Sequence, residues 1–197
     1  MVVVYNAVNV PNRNLYNVKS KKVLFLGAVT KRKGIDTLLE ALKSQENKLK
    51  KEYTIDIYGP DTDGNICEKI DQMKLEKWVG YRGWLGKKEK PEILKDTSIN
   101  VLPSYNEGLP MTILEAMAYG IPSITTNVAA IPEAIDETNG RIVMPGDSEQ
   151  LGNAISELLL DDELRIKLSK KAYSDAKKKF SIEEHIRQIE KIYEEIV

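Results

Sequence analysis

Val23-Leu24-Phe25-Leu26-Gly27, then Ala28-Val29-Thr30-Lys31-Arg32-Lys33-Gly34, then Ile35, Leu38, Leu39 and Leu42: this passage decides the fold. A short apolar run closed by glycine reads as a strand covered on both faces. Apolar residues at i, i+3, i+4 and i+7 read as a helix with one core-facing stripe. A strand, a short basic loop and a helix make the first unit of an alternating α/β chain.

The alternation continues. Tyr53 to Tyr58 reads as a strand closed by Gly59-Pro60, and Ile66 to Leu75 as a weaker helix. Trp78 to Gly83 is strand-like, Glu92 to Asp96 belongs to a short helix, and Ile99 to Leu102 is another buried strand. Met111 to Tyr119 is helical, Ile121 to Thr125 a strand, and Arg141 to Met144 the last strand. Such alternation predicts an open, doubly wound parallel sheet of about six strands with helices on both faces and right-handed crossovers. Three amphipathic helices should close the chain. They are carried by Leu151, Ala154, Ile155, Leu158 and Leu159, then Leu164, Leu168, Ala172 and Ala176, then Ile182, Ile186, Ile189, Ile192, Tyr193 and Ile196. Ser181 with Glu184 three positions on has the spacing of a capping box.

Composition narrows the function. Lys plus Arg is 29 and Asp plus Glu is 30, a net charge of −1, so a dedicated nucleic-acid binder is not expected. The lysine runs, such as Lys177-Lys178-Lys179, read as solvated helix faces. The one cysteine, Cys67, allows no internal disulfide and suits a reducing cytoplasm. No apolar run nears the ~20 residues of a membrane span, and Met1 to Asn6 lacks the basic start of a signal peptide. Gly-x-x-x-x-Gly-Lys-Ser/Thr, Gly-x-Gly-x-x-Gly and Gly-x-Ser-x-Gly are all absent, against phosphate-loop NTPases, dinucleotide oxidoreductases and serine hydrolases. The one histidine, His185, falls on the last helix and is expected at its surface. Asp61-Thr62-Asp63 precedes Gly64 and reads as turn chemistry, not as metal ligands.

Ligands of a doubly wound sheet bind beyond the carboxyl ends of its strands, so the loops there carry the chemistry. Pro103-Ser104-Tyr105-Asn106-Glu107-Gly108-Leu109-Pro110 runs into a helix, with Pro110 expected as its first residue. The free N–H groups of Met111 and Thr112 would form an anion site suited to a diphosphate. Glu115 lies about a turn and a half into that helix among apolar neighbours, where a carboxylate needs hydrogen-bond donors such as ribose hydroxyls. A plainer reading stays open: Glu107 caps the helix and Glu115 pairs with a lysine. The loop Gly27 to Gly34 lies on the same rim, and its cations could neutralise a diphosphate.

Glu107 and Glu115, with seven residues between them, lead into Ala116-Met117-Ala118-Tyr119-Gly120-Ile121-Pro122. Ile131-Pro132-Glu133-Ala134-Ile135, Asn139-Gly140-Arg141-Ile142-Val143 and Pro145-Gly146-Asp147 follow in order. With Lys33-Gly34, Phe180-Ser181 and Ile192-Tyr193, these segments resemble the C-terminal, donor-binding domain of retaining GT-B glycosyltransferases of family 4, the group 1 glycosyl transferases. The resemblance spans residues 1–197 as one nucleotide-sugar-binding domain, one half of a GT-B fold. It implies that Glu107 contacts the donor sugar and that Glu115 binds the ribose. Gly108, Met111 and Thr112 would line the diphosphate site. Lys33, aided by Arg32, would stabilise the leaving group, giving Glu107 and Lys33 the catalytic roles. The base would lie against the loop after Trp78–Gly83, with Tyr81 and Arg82 as its candidates. No metal or other cofactor is implied. Tyr5 to Asn9 resembles the linker into this domain. The acceptor site, and any contact with the inner membrane face, would belong to an N-terminal half absent from this sequence. One departure stands out: the family usually has arginine after the first loop's glycine, where this chain has Ala28. Three other readings share these residues: a binding module that needs a partner domain, half of a nucleotide-sugar epimerase, and a scaffold with a silent site.

Overall fold

The computed structural model describes residues 3–49 and 52–195. Met1, Val2 and Ile196, used in the reading above, lie outside them. Six parallel strands, β1 (Lys22–Leu26), β2 (Thr54–Tyr58), β3 (Val79–Gly83), β4 (Ile99–Leu102), β5 (Ser123–Thr126) and β6 (Gly140–Val143), form one sheet in the order β3-β2-β1-β4-β5-β6. Between and after them come α1 (Ile35–Leu49), α2 (Ile66–Gln72), α3 (Lys90–Lys95), α4 (Met111–Ala118), α5 (Ile131–Ala134), α6 (Ser148–Leu160), α7 (Asp162–Lys179) and α8 (Ile182–Glu194). This is the Rossmann-like α/β architecture expected. The strand order reverses between β1 and β4, where Val23 pairs with Ile99 and Leu24 with Asn100.

Strand β1 shows why its residues read as a continuous apolar run. Val23 and Phe25 enter a large core with Leu38, Leu39 and Leu42 of α1 and Leu151, Ile155 and Leu158 of α6. Leu24 and Leu26 enter a second core with Leu85, Leu94, Ala116 and Ile121. With both faces covered, neither set of alternating residues can be polar.

The details differ from the sequence expectations in physical ways. Strand β5 begins at Ser123, later than Ile121, and is buried although three of its four residues carry hydroxyls. Thr125 donates to the Leu102 carbonyl at 3.0 Å, Thr126 to that of Ser104 at 2.6 Å, and Asn100 Nδ2 to Ser123 Oγ at 3.2 Å, so the hydroxyls are satisfied. The short α5 had no periodic signal. Ser181 accepts from the Glu184 N–H, but the Glu184 carboxylate turns to Arg187 and Gln188, so only half of the capping box forms. His185 is half-buried, with Nδ1 2.8 Å from the Tyr5 carbonyl oxygen, not a free surface residue. On α8 no residue is buried, and Ile182, Ile186 and Tyr193 are exposed. Asp61 accepts from the Gly64 and Ile66 N–H groups, both at 3.0 Å, as a turn residue should. Among the described residues no helix is long and apolar enough to cross a membrane.

Arg165, wholly buried, locks α6 and α7 to the N-terminal segment. Its Nη1 donates to the Leu158 and Leu159 carbonyls, its Nη2 to Val18, and its Nε to the Tyr16 hydroxyl. The Tyr16 hydroxyl in turn donates to the Ser98 carbonyl at 3.0 Å. Removing the guanidinium strands the Leu158 and Val18 carbonyls, each costing about 1–3 kcal/mol, while Leu159 keeps the Tyr53 hydroxyl. Arg165→Met is therefore expected to lose about 3 kcal/mol or more in chemical denaturation. A loss no larger than a surface substitution would contradict this role.

Burial pushes the Tyr16 phenol from 10.0 up to about 12, with Arg165 opposing. The folded state thus holds this proton more tightly than the unfolded chain. The resulting stability is complete below pH 10 and is lost as the pH rises toward about 12. The expected decline is up to about 1.4 kcal/mol per pH unit. Denaturation midpoints across that range should fall less steeply for Tyr16→Phe than for the parent.

Candidate functional site

The loops after β1 and β4 leave the sheet side by side where the strand order reverses, and their contact builds the site. The basic loop forms a single 3-10 turn, Lys31–Lys33, capped by the Thr30 side chain and closed by Gly34 at φ 76°. A Cβ at Gly34 would stand 2.0 Å from the Pro103 carbonyl oxygen, so only glycine permits the loops to approach this closely. Tyr105 N–H donates to the Arg32 carbonyl at 2.9 Å, and Arg32 Nη1 to the Asn106 carbonyl at 3.0 Å. The Tyr105 hydroxyl lies 3.0 Å from Thr37 Oγ1 on α1.

Two expected site residues meet here. The Lys33 ammonium pairs with the Glu107 carboxylate, and both side chains are largely buried. Glu107 also accepts from Ser104 Oγ at 2.7 Å. It does not cap α4: Pro110 occupies the N-cap position, one residue outside the helix whose first residue it was expected to be, and offers no side-chain bond. Intrahelical bonding begins with the Ile113 and Leu114 N–H groups on the Pro110 carbonyl. The Met111 and Thr112 N–H groups thus precede the ladder at the positive end of the helix, as an anion site requires. Gly108 has open space where a side chain would be.

One turn along, Glu115 borders a cleft of about 600 Å³ with Met111 of α4, Tyr119 just past its end, Pro91 and Leu94 of α3, and Val8 of the N-terminal segment. Both its oxygens accept from Lys90 Nζ, at 2.8 and 3.0 Å. The plainer reading of Glu115, a lysine pair, therefore holds. Lys90 itself was missed in the sequence. Its one signal was a lysine beside Pro91 at a helix start on the same rim.

Tyr81 and Arg82 are engaged within the protein. The Tyr81 hydroxyl donates to the Gly59 carbonyl at 2.9 Å and accepts from the Asp61 N–H at 3.2 Å. Arg82 Nε donates to buried Asp56 at 2.7 Å. Both thus have a structural role in tying β3 to β2 and its following turn. The neighbouring Trp84, 78% exposed, is the free aromatic of that loop.

Comparisons with known proteins fit this geometry. The family model described as glycosyl transferases, group 1, matches residues 9–175. An uncharacterized glycosyltransferase of Methanocaldococcus jannaschii is 32% identical over 200 aligned positions, covering 99% of this chain and 54% of that protein. The O-antigen chain mannosyltransferase B of Escherichia coli is 28% identical over 144, covering 72% and 38%. Among solved structures, HepE of Anabaena in complex with UDP and glucose superposes with a TM-score of 0.84 at 21% identity, covering 98% of this chain and 56% of HepE. The chain spans about half the length of these relatives, or less.

The contact between Gly34 and Pro103 can be tested directly. Gly34→Ala adds a backbone clash to the left-handed strain of about 1–3 kcal/mol. Gly64→Ala, at φ 68° with no atom within 4 Å of the added methyl, carries the strain alone. Thermal melts should show the larger loss for Gly34→Ala; equal losses would mean that the loops can part freely.

Proposed function

Because the chain belongs to the group 1 glycosyl transferases, we propose that it is the half that binds a nucleotide-diphospho-sugar for retaining transfer, in polysaccharide or glycoconjugate synthesis. The observation that carries this is the convergence of the Lys31–Lys33 turn, Glu107 and the α4 N-terminus at the point where the sheet order reverses. The diphosphate lies over the Met111 and Thr112 amides beside Gly108. Arg32 and Lys33 face the charge that grows on the departing diphosphate as its bond to the sugar's anomeric carbon breaks. Lys31 and Arg32 supply the cations that Ala28 does not. Glu107 contacts the sugar and Glu115 accepts from the ribose hydroxyls. The base rests against the loop after β3, with Trp84 as its stacking platform in place of Tyr81 and Arg82. The acceptor site belongs to a further domain, so the chain on its own binds donor without transferring sugar. No divalent metal takes part. The working location is cytoplasmic, at the inner membrane face through that further domain.

Calorimetric titration with UDP, GDP and ADP, with and without a chelator, tests the reading. One nucleotide should bind selectively and independently of metal. Glu115→Ala should remove a charge-assisted bond worth about 1.5–3 kcal/mol, a roughly tenfold to hundredfold loss of affinity. If no nucleotide binds the parent chain while Ala28→Arg restores binding, the scaffold with a silent site is the better description.

A further inference from the structure

We infer that Lys90 is the positioning residue for the ribose carboxylate: it holds Glu115 so that the carboxylate's remaining lone pairs are open to the donor's ribose hydroxyls. The inference rests on the reading of Glu115 as the ribose acceptor and adds a residue to it. An ionised carboxylate has about four acceptor positions, and an ammonium has three N–H bonds. Lys90 Nζ uses two of its bonds, one on each Glu115 oxygen, at 2.8 and 3.0 Å. Each oxygen keeps an outward-facing acceptor position, open to a hydroxyl donor.

Lys90 is itself fixed. Its N–H donates to the Gly86 carbonyl at 3.1 Å, and Glu89 Oε2 accepts from the Gly86 N–H at 3.1 Å, closing the turn that starts α3. Pro91 sets the backbone of the first helical turn. Beneath it, Leu85 and Leu94 pack in one core with Ala116, the residue after Glu115. The lysine and the carboxylate thus sit on two helices held together by a shared apolar contact. The pair is three-quarters buried, with side chains 27% and 24% exposed. There an ammonium both fixes a carboxylate's rotamer and offsets its repulsion of an incoming diphosphate.

A structural salt bridge alone, or a latch that the donor must break, would respond differently to mutation. The test is titration of the parent chain, Lys90→Met, Lys90→Gln, Lys90→Arg and Glu115→Ala with the best-bound nucleoside diphosphate and its 2′-deoxy analogue. Thermal melting confirms that each variant folds. Lys90→Met and Lys90→Gln should weaken the ribonucleotide about tenfold and the deoxy analogue much less, narrowing the preference between them. Lys90→Arg should keep most of that preference. Tighter binding by Lys90→Met would overturn the assignment in favour of a latch. An equal loss for both ligands would overturn it in favour of a phosphate contact. No loss with Lys90→Met and Lys90→Gln, while Glu115→Ala still weakens binding, would remove Lys90 and leave the ribose reading standing. No effect of Glu115→Ala would remove the ribose reading itself.

Discussion

Two residue pairs, Val23 with Ile99 and Leu24 with Asn100, join β1 to β4 and so set the two halves of the sheet together. The rest of the site depends on that short parallel seam. The crossovers leaving β1 and β4 run outward in opposite directions, so no helix covers the seam's carboxyl end. The loops that emerge there must satisfy their backbone groups on one another, and they do so through Tyr105 with Arg32 and Arg32 with Asn106. The chemistry is therefore placed by topology first and by side chains second. Gly34 is the local consequence: the carbonyl of Pro103 fills the space where any other residue would carry its Cβ.

Most of the architecture was legible because a doubly covered sheet leaves a plain signal. Strands β1 and β4 are largely apolar runs ended by glycine or proline, and each long helix shows a one-sided stripe. The signal fails where polar groups are satisfied inside the fold. The sequence reading ends this strand at Thr125 and leaves Thr126 outside it, yet Ser123, Thr125 and Thr126 each find a partner on β4 or in the loop that follows it. Arg165 interrupts an apolar stripe and looks exposed. It is buried because four acceptors from two other chain segments surround it. No periodicity records such a meeting.

The site was legible in the same measure. Glu107, Glu115 and Lys33 stand in local segments whose spacing survives in one dimension, and Lys33 and Glu107 are in contact. Lys90 lies in a lysine-rich stretch, Lys87 to Lys95, where its place before Pro91 is the one weak mark that sets it apart. Only the packing of α3 on α4 selects it. Tyr81 and Arg82 illustrate the converse. Polar side chains near a strand end look available, but neighbouring strands in a parallel sheet supply carbonyls and carboxylates that take them up.

For the proposed donor, the two ion pairs explain how carboxylates and a diphosphate could share one rim. A bare Glu107 and Glu115 on either side of the α4 N-terminus would oppose the helix's positive end and repel a diphosphate. Each is instead matched by a lysine, Lys33 and Lys90 respectively, so the pairs sum to no net charge. What remains uncompensated is favourable: the free amides of Met111 and Thr112, the Arg32 guanidinium and the exposed Lys31. The carboxylates can then act on hydroxyl groups through short-range hydrogen bonds, while the field felt by a phosphate stays positive. A hydroxyl donor needs only the nearest oxygen, whereas a phosphate responds to the summed charge around it. Pairing each acid with its own base would let one surface serve both the ribose and the diphosphate of the proposed donor.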